Sequence, residues 1–249
     1  MPTAAINIML NELRHLYPHL PKDARTLLGT PPRTSKSRTR DGGHYVHFGL
    51  KDVLDRVLRI HSQCDAVKLQ IRVDGASLFK SSRAQLWPIL GRLTNPKTAT
   101  FLVEVFSGQT KPMNVSEYLQ DLVDKMLDLQ LHGYFNVGSG KRCVMHFECL
   151  VANAPARAFI RQMKKHSGYF SYKKCCMRDV YTFGRVTFPH SDCARISDDS
   201  FCSRLQEEHH IGVSPFEALP TDMVYSFPLD YMHLICLGVM KTLIKLWRS

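Results

Sequence analysis

The sequence predicts an α/β protein in which a mixed sheet is flanked by helices. Three observations lead to this prediction. Apolar and polar residues alternate from 68 to 73, which is the period of a half-buried strand. Residues 98–106 form a second strand rich in β-branched and aromatic residues, and the apolar run 144–151 is short enough for a third. A helix over 114–132 separates the last two, as in α/β folds.

The composition is that of a globular protein with one large domain or two small ones. The chain has 249 residues, of which 44% are hydrophobic and 22% charged. No apolar run approaches the roughly 18 to 20 residues that cross a bilayer, and the amino terminus lacks a secretory pattern. We therefore expect a nuclear or cytoplasmic protein that is not secreted and has no transmembrane segment.

Charge and cysteine content point in the same direction. The net charge of +11 and pI near 9.4 favour polyanionic partners, DNA first, although a basic surface also keeps a protein soluble without any partner. The eight cysteines are scattered without a disulfide framework, which predicts reduced thiols.

The first 43 residues divide into a helical segment and a linker. Apolar spacing predicts a helix over 6–17 and a short one over 22–28, so 1–29 is expected to be helical. Residues 30–43 lack large apolar side chains, and we expect a flexible linker. It is either a solvated spacer or a basic arm lying along DNA phosphates through Arg33, Lys36, Arg38 and Arg40.

Elements of the central region follow from periodicity and caps. An amphipathic helix is predicted over 48–60, and short buried strands at 78–79 and 86–90. Asn114 and Glu117 have the spacing of a capping box, which starts the helix that ends before Gly133.

Polar residues stand at the carboxyl ends of two predicted strands. Asp74 follows the first strand and is followed by Gly75, while Asn153 follows the strand 144–151. Parallel neighbouring strands would bring the two side chains together. An acid at such a position can be a metal ligand, or it can cap a strand-to-turn junction.

The last third is less regular. We expect a helix over 158–165, a loop over 192–203, and a long apolar helix over 231–247. The apolar helix has no wide polar face, so we expect it to be largely buried, with packing partners in sequence beyond Ser249.

Five segments in this order resemble the transposase domain of the CACTA (En/Spm-like) group: 73–82 (VDGASLFKSS), 154–157 (APAR), 166–169 (HSGY), 208–210 (EHH) and 227–234 (FPLDYMHL). The resemblance covers the chain from about residue 23 onward. It implies a cut-and-paste DNA transposase, with a ribonuclease-H-like core over 44–249 that is incomplete at its carboxyl end. It also implies Mg²⁺ or Mn²⁺ held by an Asp/Asp/Glu triad.

The resemblance assigns roles to four residues. Asp74 matches the first metal-binding acid, but Asn153 stands where the second is expected. Asp230 and His233 match an Asp-x-x-His motif, and the third acid falls beyond Ser249. Since Mg²⁺ prefers anionic oxygen ligands, we expect no useful DNA cleavage. Asp230 as a helix cap with a hydrogen-bonded His233 explains their spacing without catalysis, and we expect His233 to lie near Asp74.

A zinc site is a second implication of the resemblance. The family's Cys-x-x-Cys pair is here Tyr172 and Cys175, with Cys176 as a stand-in. Together with His209 and His210 these are the candidate ligands, but the spacing matches no established zinc pattern. Free thiols are the preferred interpretation.

Three functions stay open from the sequence. The first is a degenerate transposase that retains non-specific DNA binding, and it is compatible with a homo-oligomer. The second is a domesticated nuclear protein-interaction or chromatin-associated module without DNA chemistry. The third is an active nuclease that has a downstream acid and tolerates Asn153.

Overall fold

The structure is a computed structural model that describes residues 3–27, 37–61, 64–78, 81–165, 169–170, 172–188 and 193–248. Contacts divide the chain into two compact units, 1–37 and 38–249. The first unit contains helices α1 (Thr3–Leu13) and α2 (Ala24–Leu27), close to the predicted positions. Within it, the Ala24 amide donates to the Asn7 side chain at 2.8 Å.

The second unit is built on an eight-stranded mixed sheet, which confirms the predicted α/β class. In chain order, its strands are β1 (Ser37–Arg40), β2 (Gly43–His47), β3 (Ala66–Val73), β4 (Ala76–Ser77), β5 (Gln85–Asn95), β6 (Phe101–Gly108), β7 (Tyr134–Asn136) and β8 (Lys141–Ala152). The spatial order is β1-β2-β6-β5-β3-β8-β7, and β4 pairs with β5. β5 is antiparallel to β3 and β6, whereas β8 is parallel to β3.

Helices α3 (Leu50–Val57) and α4 (Val115–His132) contribute to the core with the apolar face of the sheet. That face carries the apolar residues of β3, whose burial alternates as the sequence predicts. Asn114 caps α4 by accepting from the amides of Ser116 and Glu117, as expected from the capping pattern. The predicted helix over 48–60 is confirmed as α3 followed by one 3₁₀ turn.

The remaining elements are short. They are α5 (Ala154–Ile160), the hairpin β9 (Val180–Thr182) and β10 (Arg185–Thr187), α6 (Asp198–Cys202), two 3₁₀ helices (Glu207–His209 and Pro215–Ala218), a π-helix (Met232–Met240) and α7 (Lys241–Trp247). None of the helices in the described ranges is long and apolar enough to cross a membrane.

Several predicted boundaries are wrong. The sheet begins within the predicted linker, because β1 covers 37–40 and β2 starts at Gly43. Helix α5 starts at residue 154 and not at 158, because Asn153 caps it and a proline occupies its first turn. The hairpin formed by β7 and β8 was not predicted, and α6 lies inside the predicted loop 192–203.

The largest difference concerns the carboxyl-terminal helix, by which we mean residues 232–247. Its apolar composition predicts burial, but none of its described side chains is buried. Its exposed apolar side chains include Leu234, Leu237, Ile244 and Trp247. Composition alone does not decide burial, which requires a surface for the helix to pack against.

Candidate functional site

The site lies at one edge of the sheet, where three chain segments end side by side. The last residues of the parallel strands β3 and β8, Val73 and Ala152, are direct neighbours. Ala152 in turn forms a parallel bridge with Leu229. Asp74, Asn153 and Asp230 are the next residue of each segment, so strand register brings the three polar side chains to the same edge.

Asn153 contacts Asp74 directly. Its amide nitrogen Nδ2 donates to Oδ1 of Asp74 at 2.5 Å, while its Oδ1 accepts from the Ala156 amide at 2.9 Å and so caps α5. The cap fixes which end of the amide faces Asp74. The predicted juxtaposition of the two strand ends is therefore confirmed.

Asp230 and His233 form the second half of the site. The Asp230 carboxylate accepts from Nδ1 of His233 at 2.6 Å and from the Met232 amide at 3.0 Å. Nε2 of the same imidazole lies 3.7 Å from Oδ2 of Asp74, which is too far for a hydrogen bond but close enough for an electrostatic interaction. The expected proximity of His233 to Asp74 is confirmed, and so is the capping role of Asp230.

Electrostatics favour a charged Asp230. Burial raises the pKa of Asp230, but the hydrogen bonds from His233 and the Met232 amide and the charge of Arg72 outweigh burial, so the pKa lies below its ordinary value. Arg72 contributes from β3, with its guanidinium 3.6 Å from Asp230. Sequence reasoning missed Arg72, although its alternation with Ile71 and Val73 puts it on the polar face of the strand.

Arg157 is a second residue that the sequence analysis did not single out as functional. It is 7% exposed, and its Nη1 donates to the Pro228 carbonyl at 3.0 Å, with the Ala152 carbonyl at 3.5 Å. Those carbonyls belong to the two segments that lead into Asn153 and Asp230. Arg157 therefore holds these segments together, which gives the APAR segment a structural role beside the site.

Gly75 allows the strand end to approach the neighbouring strand. A Cβ atom at this position would lie 2.7 Å from the indole of Trp87 in β5. The glycine that follows Asp74 is therefore required by the packing of Trp87.

The candidate metal ligands do not form an ion site. Within the described ranges, no three His, Cys, Asp or Glu side chains are arranged to hold a metal ion. At the sheet edge, the donor group of Asn153 points at Asp74, which a cation would otherwise approach. The donor set of this site does not fit a pair of divalent ions.

The candidate zinc ligands have other environments. Cys175 is buried, Cys176 is exposed, and the two are adjacent in the chain. The rings of His209 and His210 pack against Phe170 and Phe201, with centroids 5.5 and 4.6 Å apart. Burial lowers the pKa of both imidazoles, to about 4 for His210. The structure does not bring these four residues together as a ligand set.

The predicted DNA-binding arm is partly structured. Arg33 and Lys36 lie outside the described residues. Arg38 and Arg40 are in β1, where their guanidinium groups lie 3.4 and 3.2 Å from the Asp121 carboxylate. Arg40 also stacks on the Tyr45 ring at 4.5 Å. For these two residues the prediction of a flexible arm is wrong, because both belong to a strand of the sheet.

Comparison with known proteins adds no identity. No protein-family model matches the chain, and none of the curated proteins matches it significantly. The resemblance to CACTA transposases therefore stays a prediction.

Proposed function

We propose that the chain is a transposon-derived transposase-domain protein that binds DNA without cutting it. One observation carries the proposal: Asp74, Asn153 and Asp230 stand at three adjacent segment ends, joined by His233 into one hydrogen-bonded and electrostatic network. The proposal is supported because active sites of α/β proteins often lie at the carboxyl ends of parallel strands, and here an amide takes the position that the resemblance assigns to a carboxylate. A nuclear location follows from the proposal.

Chain connectivity supports a ribonuclease-H-like core. β3, β5 and β6 are consecutive long strands that form an antiparallel meander. Helix α4 then crosses over, and β8 returns parallel to the first strand of the meander. An acid at the end of the first core strand is the arrangement that the resemblance predicts for this fold.

The chemistry of the site supports the absence of cleavage. Two-ion strand cleavage requires carboxylates that hold both metals beside the scissile phosphate. Asn153 supplies no charge, and its amide already satisfies one oxygen of Asp74. His233 and the Met232 amide donate hydrogen bonds to the two carboxylate oxygens of Asp230. The four residues thus interact through hydrogen bonds and through the electrostatic contact between His233 and Asp74.

A basic groove beside the network supports DNA binding. The polar face of β3 and β5 carries Lys68, Arg72 and Arg92, and a cavity of about 260 Å³ lies between the two arginines and Gln70. Arg92 donates to Gln70 at 2.9 Å, which holds its guanidinium over the sheet. Cations on an open face next to the site can contact phosphates without reading sequence.

Fluorescence anisotropy with a labelled duplex of arbitrary sequence tests the proposal. We expect binding at low salt, an affinity that falls steeply as salt rises, and little dependence on sequence. In the double variant Arg72→Gln/Arg92→Gln, the slope of log affinity against log salt concentration should decrease by the amount expected for about two lost phosphate contacts. The control is Lys51→Gln/Arg59→Gln, which removes two exposed charges from α3 and the turn after it. An equal effect of both double variants would reject the groove, and an absence of binding at low salt would reject the proposal.

The carboxyl-terminal helix favours a second candidate function. An exposed apolar helix is typical of a surface that binds another protein, and side chains such as Leu234 and Leu237 are about half exposed, at 46% and 53%. This observation supports a domesticated protein-interaction module. If duplex DNA is not retained at low salt, this function replaces the first.

A further inference from the structure

Four basic side chains from α5 and the segment after it form a cationic cluster, in which Arg157, Arg161 and Lys173 are buried and Lys174 is half-buried. Arg161 is 0% and Lys173 6% exposed. Arg161 and Lys174 lie against the same short segment, because Arg161 lies over the Phe227 ring and Lys174 donates to the Val224 carbonyl. Burying like charges together is unfavourable unless an anion compensates them.

Two members of the cluster, Arg161 and Lys173, are not compensated by hydrogen bonds within the described ranges. The side-chain nitrogens of Arg161 and Nζ of Lys173 have no hydrogen-bond partner within the described ranges. Arg161 instead lies over the rings of Phe201 and Phe227, at 4.7 and 5.6 Å. Among the acids that face the cluster, Asp222 accepts from two backbone amides and Asp230 belongs to the network described above.

The pKa values of the two lysines reflect the excess of positive charge in the cluster. Burial, followed by the charges of Arg157 and Arg161, lowers the pKa of Lys173 to about 7. Burial and the same two charges, opposed by Asp222, lower the pKa of Lys174 to about 8. A bound anion would raise these pKa values again, because an opposite charge stabilises the protonated lysine.

Lys174 connects the cluster to an open cavity of about 440 Å³. The cavity is also lined by Arg195, Tyr172 and Phe188. Arg195 is exposed, and the two aromatic rings form an edge-to-face pair with centroids 5.8 Å apart. The ammonium group of Lys174 donates to the carbonyl of Val224, a buried residue outside the cavity lining. The cavity thus combines two cations with two partly exposed aromatic faces, and its size falls in the range of small-ligand sites.

We propose that this cavity binds a nucleoside phosphate, with the phosphate on Lys174 and Arg195 and the base on Tyr172 and Phe188. The buried cations behind Lys174 add a positive field that favours the phosphate. Aromatic faces stack on any base, so the site has little preference among bases. The ligand is either a free nucleotide or the phosphorylated end of a single strand, which present the same chemistry. This proposal does not depend on the duplex-binding proposal, because it concerns different residues.

Calorimetric titration of the full chain tests it with AMP, adenosine, inorganic phosphate and single-stranded oligothymidylate with and without a 5′-phosphate. We expect AMP to bind more tightly than either adenosine or phosphate. Arg195→Gln should weaken AMP binding about tenfold, as expected for loss of a charge-assisted contact. Tyr172→Ala should weaken AMP binding but leave the binding of inorganic phosphate unchanged.

Matched controls are available on the same chain. Arg59→Gln removes another exposed arginine, and Tyr181→Ala truncates a tyrosine that is 61% exposed in β9. Both should bind AMP like the unmodified chain. Phe188→Ala is a second aromatic variant, useful if Tyr172→Ala fails to fold.

The arms of the experiment distinguish the sources of the ligand. Binding of AMP supports a free nucleotide, and binding only of the 5′-phosphorylated oligonucleotide supports a strand end. Three results would overturn the proposal: no binding by any probe, equal binding of adenosine and AMP, or equal losses in Arg195→Gln and Arg59→Gln.

Discussion

Replacing Asn153 by aspartate tests how the sheet-edge network is held together. Asn153→Asp keeps the helix cap, because aspartate caps as well as asparagine. It also replaces the amide nitrogen that lies 2.5 Å from Asp74 by a carboxylate oxygen. A hydrogen bond thereby becomes a repulsion between two like charges.

The size of the effect follows from Coulomb's law and the exposure of the site. Two unit charges 4 Å apart, after the side chains relax, repel by about 4 kcal/mol at an effective dielectric constant near 20 and by about 1 kcal/mol in water. Asp74 is 31% exposed, so its environment lies between these limits. We expect the free energy of unfolding to fall by about 1 to 4 kcal/mol in the presence of a chelator. The loss should shrink at acidic pH, where the carboxylate pair takes up a proton.

Urea unfolding with and without Mn²⁺ is the assay. If the two strand ends form a latent ion site, Mn²⁺ should restore stability to the variant, by about 2.7 kcal/mol at a hundred times its dissociation constant. The unmodified chain should respond little to Mn²⁺. Asn153→Ser retains the cap without adding charge, so this variant should gain no response to the ion.

The exchange variant Asp74→Asn/Asn153→Asp is the second control. It restores one amide and one carboxylate, and it should recover most of the lost stability without metal. Such compensation is the signature of direct contact in a double-mutant cycle. The reasoning is refuted if Asn153→Asp is as stable as the unmodified chain in chelator, or if the two substitutions destabilise additively.

Three further predictions concern the fold around the site. Glu104 is fully buried, and burial raises the pKa of its carboxyl group above the ordinary value of 4.5. The protonated carboxyl group therefore stabilises the fold at acidic pH, and this stabilisation is lost as the pH rises through the raised pKa. In Glu104→Gln, the free energy of unfolding measured in urea should depend less on pH over this range. Gly75→Ala should cost about 1 to 3 kcal/mol, because its Cβ meets the Trp87 indole, and unfolding followed by tryptophan fluorescence measures the loss. Leu237→Ala should change the free energy of unfolding by less than about 0.5 kcal/mol, because the side chain is exposed. Leu122→Ala in the core should cost about 2 to 5 kcal/mol, and similar losses for both leucines would contradict the exposure of the carboxyl-terminal helix.

Local sequence patterns predict a structural feature correctly where that feature depends on residues close together in the chain. The alternation of residues 68–73 predicts β3, and the Asn114 cap with its apolar stripe predicts α4, because each depends on residues within a few positions. The same applies to Asp230 and His233, whose hydrogen bond spans three residues. Elements with weaker local signals, such as β7, were missed.

The sequence by itself determined the α/β class, the main strands and helices, and the candidate acids at strand ends. Only the tertiary structure decided which groups meet. The contact between Asn153 and Asp74 joins residues 79 positions apart, and the parallel register of β3 and β8 creates it. Long-range packing likewise buries Arg161, yet leaves the apolar carboxyl-terminal helix exposed. Burial depends on the surface that the rest of the fold presents to a side chain, and local composition contains no information about that surface.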